Sequence, residues 1–318
     1  MSKDVLIIGA GLGGLLCGRI LSRRRGFTVT VLEADSFPGG ILHGFEWEGA
    51  MCDRGFHSVG GLAPGEPLEK IFRPLGLMDL PWYRADADEG LGFLRLNMRS
   101  DFEMEHILGP FARSTWRLEG GGTTLSMALA EGLDIRYGKK VTAIENQVVT
   151  CEDRGSFRAD YVISDLHPAV TMGLVRDHVR PAYTKRIARL QNGPDIFSAH
   201  CLMEPGCVPW QSGAIFLDNS LMIHFDEPGT GILELMCFGP GNPEEMIARA
   251  TVRLPGLKVL KYHAHLNQGY GIQKASNADF ISAQTPLPWL FLTGQNLGLH
   301  GILGTSISAL NTCKMIQL

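Results

Sequence analysis

Residues 4–35 read DVLIIGAGLGGLLCGRILSRRRGFTVTVLEAD, and this stretch decides the fold. Val5 to Ile8 form an apolar, β-branched run of the kind buried on both faces of a parallel sheet. Gly9, Gly11 and Gly14 follow in a GxGxxG pattern, and Leu15, Leu16, Ile20 and Leu21 recur at helical spacing until Gly26 closes the segment. A second buried run, TVTVLEA, ends in Glu33. Strand, glycine turn, helix, strand and acid in this order predict a dinucleotide-binding βαβ unit. Gly9 lets the chain turn out of the strand. Gly11 lets backbone approach a pyrophosphate, and Gly14 lets the helix pack on the sheet. The helix N-terminus offers unpaired N–H groups and a positive dipole end to the diphosphate. Glu33 stands where a carboxylate accepts from an adenosine ribose, which disfavours a 2′-phosphate there.

The chain has 318 residues, 45% hydrophobic and 19% charged, with a net charge of −4. That is ordinary for a protein with a sizeable core and gives no general attraction to nucleic acid. The basic cluster Arg23–Arg25 falls at a helix C-terminus, where cations suit the dipole. Seven cysteines are scattered without a CxxC pair. With no leader ahead of the first strand, they predict reduced thiols and a cytoplasmic protein, and exclude dithiol–flavin chemistry.

Beyond the first unit, residues 41–61 suggest a short β-ribbon and a glycine-rich loop. Residues 65–80 look helical, with a break near Pro74. GGGTTLSMALAEGL (120–133) reads as a glycine loop, a threonine cap and a helix. Residues 134–153 read as strands with a turn at Glu145–Asn146, 158–168 as a buried strand, and 168–192 as mostly helical. Three apolar runs, DIFSAHCLM, AIFLDNSLMIHF and GILELMCF, predict an antiparallel sheet over 195–238. The last element, LFLTGQN followed by GILGTSISALNTCKMI, is a buried strand, a glycine turn and a second helix N-terminus. A flavin needs such a closing element across a long crevice, whereas a plain nicotinamide enzyme does not. No second GxGxxG follows another strand, so a separate nicotinamide domain is not expected.

The stretches DVLIIGAGLGG, TVTVLEADSFPGG, DRGFHSVGG, WRLEGGGTTLSMALAE, ADYVISDLHP and LFLTGQNLGLHGILGTSISA together resemble the FAD-dependent phytoene desaturase family, particularly its retinol saturase and carotenoid isomerase branch. They cover about half the chain, in the family's order. The resemblance implies an α/β fold: a Rossmann-like FAD-binding domain (1–60, 115–167 and 266–318) with an inserted antiparallel-sheet substrate domain (61–114 and 168–265). It implies FAD held by Gly9, Gly11, Leu12, Gly13 and Gly14 at the pyrophosphate and by Glu33 and Ala34 at the ribose. Gly39 and Gly40 would run beside the flavin, and Val141 would meet the adenine. Gly294, Gln295 and Asn296 would form the closing turn, and Gly304 and Thr305 would face the pyrimidine end of the ring. Many relatives carry an acid where Asn296 stands, and the family is usually longer, the missing segments falling around 95–115.

The implied reaction is desaturation or saturation of a C–C bond in an apolar, polyene or isoprenoid molecule. The alternatives are a redox-neutral, flavin-dependent isomerisation and a flavin-binding partner protein without chemistry. Amine oxidation ranks lower, because no aromatic pair near the C-terminal turn frames an amine. Peripheral membrane contact is compatible with such a substrate, and no nucleic-acid partner is expected.

His57, in DRGFHSVGG, is the candidate proton-handling residue because its ordinary pKa lies near neutrality; a backbone-satisfied histidine is the plainer reading. His43 and His300 flank the flavin-matching loops. His263 and His265 alternate as on a strand but lack a third metal ligand. Arg186 and Arg189 read as a solvated helix face. Met203, Met222 and Met236 read first as core and second as a soft wall for an apolar substrate.

Overall fold

The computed structural model describes residues 2–85, 114–211, 213–218, 220–226, 228–273 and 280–316. In chain order its strands are β1 (Lys3–Ile8), β2 (Phe27–Leu32), β3 (Phe45–Trp47), β4 (Ala50–Cys52), β5 (Val59–Gly60), β6 (Trp82–Ala85), β7 (Thr115–Leu118), β8 (Asp134–Arg136), β9 (Val141–Glu145), β10 (Val148–Cys151), β11 (Ser156–Arg158), β12 (Tyr161–Ser164), β13 (Ile196–Met203), β14 (Ala214–Leu217), β15 (Leu221–Phe225), β16 (Ile232–Phe238), β17 (Val259–Asn267) and β18 (Leu290–Leu292). The helices are α1 (Leu12–Ser22), α2 (Pro67–Phe72), α3 (Gly121–Ala130), α4 (Pro168–Leu174), α5 (Pro181–Ala188), α6 (Pro243–Arg253) and α7 (Gly301–Met315).

The first unit is a parallel sheet in the order β18-β12-β1-β2-β8. Val5, Leu6, Ile7 and Ile8 are all buried, as a central parallel strand requires. Gly9 turns the chain at φ +97°, in the left-handed region that favours glycine. A Cβ on Gly14 would strike the Gly9 carbonyl oxygen, so only glycine lets α1 leave the strand at this angle. The last element joins the same layer. Thr293 N donates to the Ser164 carbonyl, and α7 lies against α1, with the Cys17 thiol donating to Ala309 O at 3.7 Å and that of Cys313 to Cys17 O at 3.8 Å. All seven cysteines are free thiols.

The second unit is an antiparallel sheet in the order β14-β15-β16-β13-β17. One face packs Ala199, Cys201, Leu221, Ile223, Leu233 and Leu235 against Met246 and Ala250 of α6. On the other, Ile196, Met222 and Met236 form a small apolar cluster with Tyr270 at its edge. Two three-stranded sheets, β11-β10-β9 and β5-β7-β6, and the ribbon β3-β4 are the other sheets among the described residues.

Several local expectations change. AIFLDNSLMIHF is not one strand but the hairpin β14–β15, with Asp218 at φ +50° after Leu217. The sheet also gains β17, paired along β13. In residues 65–80 only α2 is an α-helix; Pro74 and Gly76, at φ +76°, break the rest into two 3₁₀ turns. The turn after β9 centres on Asn146 and Gln147, both at positive φ. Residues 168–192 form two short helices, α4 capped by the His167 side chain, which accepts from Ala169 N. Helix α3 has no threonine cap: Asp53 Oδ1, from the loop after β4, accepts from Gly122 N at 2.9 Å. The segment expected to be shortened, around 95–115, lies almost wholly outside the described residues.

Candidate active site

A cavity of about 360 Å³ opens where the C-terminal ends of the parallel strands meet the antiparallel sheet. Gly11, Leu12, Gly13 and Gly39 wall one end, and Gln295, Asn296 and Thr305 another. The apolar wall includes Ile41, Leu42, Phe56, Val59, Ile196 and Leu303. His57 and His300 are the two histidines that line it. The first glycine turn and the closing turn therefore share one space, as a ligand extended across the switch point of a parallel sheet requires. They also touch: a Cβ on Gly13 would lie 2.9 Å from Gly294 Cα. Gly294 itself sits at φ +99°.

Glu33 is buried at 9% exposure, and both of its oxygens are engaged. Oε2 accepts from Ala10 N at 2.6 Å and Oε1 from Asp35 N at 2.9 Å. The acid thus ties the glycine turn to the end of β2, and each oxygen keeps a lone pair for a sugar hydroxyl. Lys139 N donates to the Glu33 carbonyl, which brings the chain leading to Val141 beside the same strand end.

Asp165, the residue after β12, is the main feature that sequence reasoning missed. Its carboxylate lies across the N-terminus of α1: a Cβ on Gly11 would come within 2.6 Å of Oδ2, and Cβ atoms on Gly13 and Gly294 would run into Oδ1. Burial pushes the Asp165 pKa up to about 7, with the Glu33 charge adding to the rise and N–H groups of Gly14 and Gly13 opposing it. A carboxylate held at these N–H groups does locally what a phosphate would do. The cradle therefore fits an anion, and a diphosphate entering it must displace or neutralise Asp165. Asn296 Oδ1 is also buried without a hydrogen-bond partner among the described residues, so the closing turn offers a polar atom to a ligand. Signals for Asp165 were present, since it ends the buried run YVIS beside β1, but its sequence position does not reveal where the side chain points.

Of the residues expected at the cofactor, Gly11, Leu12, Gly13, Gly39, Gln295, Asn296 and Thr305 line this cavity. Gly9, Gly14, Glu33, Ala34, Gly40, Val141, Gly294 and Gly304 do not; several of them shape the turns behind it. His43 stacks on Phe37 at 4.1 Å and takes no part in the wall. His300 precedes the first turn of α7 and meets the Tyr270 ring edge-on at 5.0 Å. His263 and His265 lie on β17 around Phe45, and no group of three or more metal-type ligands occurs among the described residues. Arg186 donates to Phe280 O.

Residues 7–75 match the family described as NAD(P)-binding Rossmann-like domain, and residues 74–196 match flavin containing amine oxidoreductase. All-trans-retinol 13,14-reductase of Macaca fascicularis is 27% identical over 145 residues, 46% of this chain and 21% of that protein. Over these stretches the chain is similar to flavin-dependent oxidoreductases, the retinol reductase among them. The match spans only about a fifth of that relative's length. Two solved structures share the fold of this chain. An oxidoreductase from Methanosarcina mazei superposes with a TM-score of 0.71 at 19% identity, over 98% of this chain and 100% of that one. The CLA-producing fatty acid isomerase from P. acnes superposes with a TM-score of 0.73 at 11% identity, over 99% of each chain.

Proposed function

We propose that the chain binds FAD along the cavity between its two glycine turns and acts on carbon–carbon bonds of an apolar, unsaturated molecule. One observation carries this reading: the dinucleotide turn and the closing turn before α7 open into a single space whose remaining wall presents Ile41, Leu42, Phe56, Val59, Ile196 and Leu303. Glu33 would hold the adenosine ribose, and Ala34 and Val141 would border the adenosine. Gly9 and Gly14 shape the turn at which Gly11, Leu12 and Gly13 would meet the diphosphate. Gly39 and Gly40 would run beside the flavin, Gly294, Gln295 and Asn296 would meet its ribityl chain, and Gly304 and Thr305 would face its pyrimidine end. Bound there, the flavin supplies acceptance or donation of a hydride equivalent, which amino-acid side chains do not provide.

The chain's own residues do the rest. Ile41, Phe56 and Ile196 exclude water from the reacting carbons. His57 holds or releases the proton that accompanies hydride transfer. Glu33 and Asn296 would hold the cofactor at its adenosine ribose and at its ribityl chain. A polyene, isoprenoid or acyl chain suits this wall, and such a substrate would be drawn from a lipid surface by peripheral contact. No helix among the described residues is long and apolar enough to cross a membrane. Nucleic acid has no place in this reading.

The test uses protein reconstituted with FAD and reduced anaerobically with dithionite. It is then mixed with all-trans-retinol or an unsaturated fatty acid. Return of the oxidised flavin spectrum with one saturated bond per flavin supports the reading. An isomerised product without reoxidation moves the assignment to redox-neutral isomerisation. No product and no spectral change with either class contradicts the proposal.

A further inference from the structure

A second cavity of about 540 Å³ lies behind the first. Its wall includes Glu48, Asp53, Arg117, His224, Asp226 and Trp210. The two cavities share Phe56 and His57 and no other lining residue among those described. His57 is therefore the titratable side chain common to both.

A row of ionisable groups crosses the antiparallel sheet at this wall. His224 on β15 lies opposite Glu234 on β16, Glu234 opposite His200 on β13, and His200 opposite His263 on β17. Glu234 is 2% exposed and His57 7%. His57 Nε2 donates to Glu234 Oε2 at 2.9 Å. His224 Nδ1 stands 3.9 Å from Oε2, and His200 Nε2 4.0 Å from Oε1, which accepts no hydrogen bond from the described residues. Glu234 is a lone acid in the buried run ILELMCF, and burying a carboxylate is costly unless it is paired. The pair thus joins the sheet to the DRGFHSVGG loop at the wall between the cavities.

We propose that Glu234 is a positioning residue that holds His57 charged in this wall, so that protons exchanged in the flavin-facing cavity are drawn from, and returned to, the second cavity. The proposal rests on the flavin reading above and adds the proton's route to it. In the reductive direction the π bond of the substrate breaks. A bound reduced flavin would supply the hydride equivalent to one carbon, and His57 gives the proton to the other. Neutral His57 then regains a proton from water on the second-cavity side. Oxidation runs the same exchange backwards.

The charges facing His57 agree in sign with this role. Burial opposes its charge, but the Glu234 carboxylate, its hydrogen bond and Asp53 outweigh burial and Arg117, so the His57 pKa lies above its ordinary value. Burial works the same way on Glu234, yet His57, His200 and His224 hold it below the usual carboxylate range. Burial pushes His224 and His200 down, and His57 adds to both shifts, so these neighbours stay neutral beside the charged pair. Burial pushes the Asp53 pKa up to about 7, the Gly122 N–H and His57 oppose the rise, and Asp226, from the loop after β15, adds to it together with Glu234.

The experiment is a pH titration of ¹⁵N-labelled histidine side chains by NMR, with His57→Gln assigning the signal and protein with and without added FAD. In Glu234→Gln the His57 midpoint should fall by about 1–3 pH units, and Glu234→Asp should recover part of the shift. An unchanged midpoint in folded Glu234→Gln overturns the positioning role; should Glu234→Gln fail to fold, an unchanged midpoint in Glu234→Asp overturns it instead. Met51→Trp, at the mouth of the second cavity, should leave the midpoint unchanged and slow exchange of the His57 ring protons with water about tenfold or more. Undiminished exchange overturns the route. Neither readout requires bound cofactor, so failure to bind FAD would count against the flavin reading alone.

Discussion

Replacing Asp165 with asparagine should tighten FAD binding and remove its dependence on pH. In the free protein the Asp165 carboxyl titrates at about 7 and lies across the N-terminus of α1, where the diphosphate must sit. If only the neutral form admits a diphosphate, the apparent Kd equals the intrinsic Kd divided by the protonated fraction. With a pKa of about 7, that fraction is about 0.9 at pH 6 and about 0.1 at pH 8, so the apparent Kd rises about tenfold, or about 1.4 kcal/mol. The effect belongs to Asp165, since an asparagine carries no charge to lose. Fluorescence quenching of FAD titrated with apoprotein at several pH values measures it. Wild-type and Asp165→Asn profiles that rise in parallel would rule out Asp165 as the cause. The same group sets a stability trend. Its folded pKa is raised from about 3.9 in an unfolded chain to about 7. Stability is therefore full below pH 4 and lost as pH climbs through 7, by up to about 4 kcal/mol. The thermal stability of Asp165→Asn apoprotein should fall less steeply than wild type over that window.

Glu33→Gln keeps its two backbone hydrogen bonds only in part and loses charge-assisted bonds to a ribose, so FAD affinity should drop by about 1.5–3 kcal/mol while the apoprotein stays folded; equal affinity would make Glu33 a turn organiser alone. Gly14→Ala places a Cβ against the Gly9 carbonyl and should prevent a stable fold or lower Tm sharply, which circular dichroism during heating reports. Met236→Ala removes a fully buried side chain and should cost about 2–5 kcal/mol in a urea melt, with FAD stoichiometry retained. His57→Asn should slow turnover by about 10²–10⁴-fold and flatten its pH profile while leaving FAD affinity within a factor of two.

The dinucleotide unit was legible because each of its parts is forced by backbone geometry. A buried parallel strand must be apolar, the turn out of it needs Gly9, and close packing of α1 needs Gly14. The closing element was legible for the same reason, in Gly294 and the small residues that open α7. What the sequence concealed depends on side chains meeting from distant segments. Asp53 replaces the expected threonine cap of α3 from 69 residues away. Asp165 reaches into the cradle from the end of β12. Glu234 looks like an irregularity in a core strand until His57, 177 residues earlier, is placed against it. The AIFLDNSLMIHF hairpin was hidden because Asp218 at positive φ turns a run with neither glycine nor proline at the bend.

Whether the two glycine turns enclose one flavin is tested by FAD titration of the purified apoprotein, followed by visible absorbance. Binding should saturate at one FAD per chain, with a perturbed band near about 450 nm, and should be weaker in Glu33→Gln. A spectrum identical to free FAD at every ratio, with no change in flavin fluorescence, would contradict a flavin held between these turns.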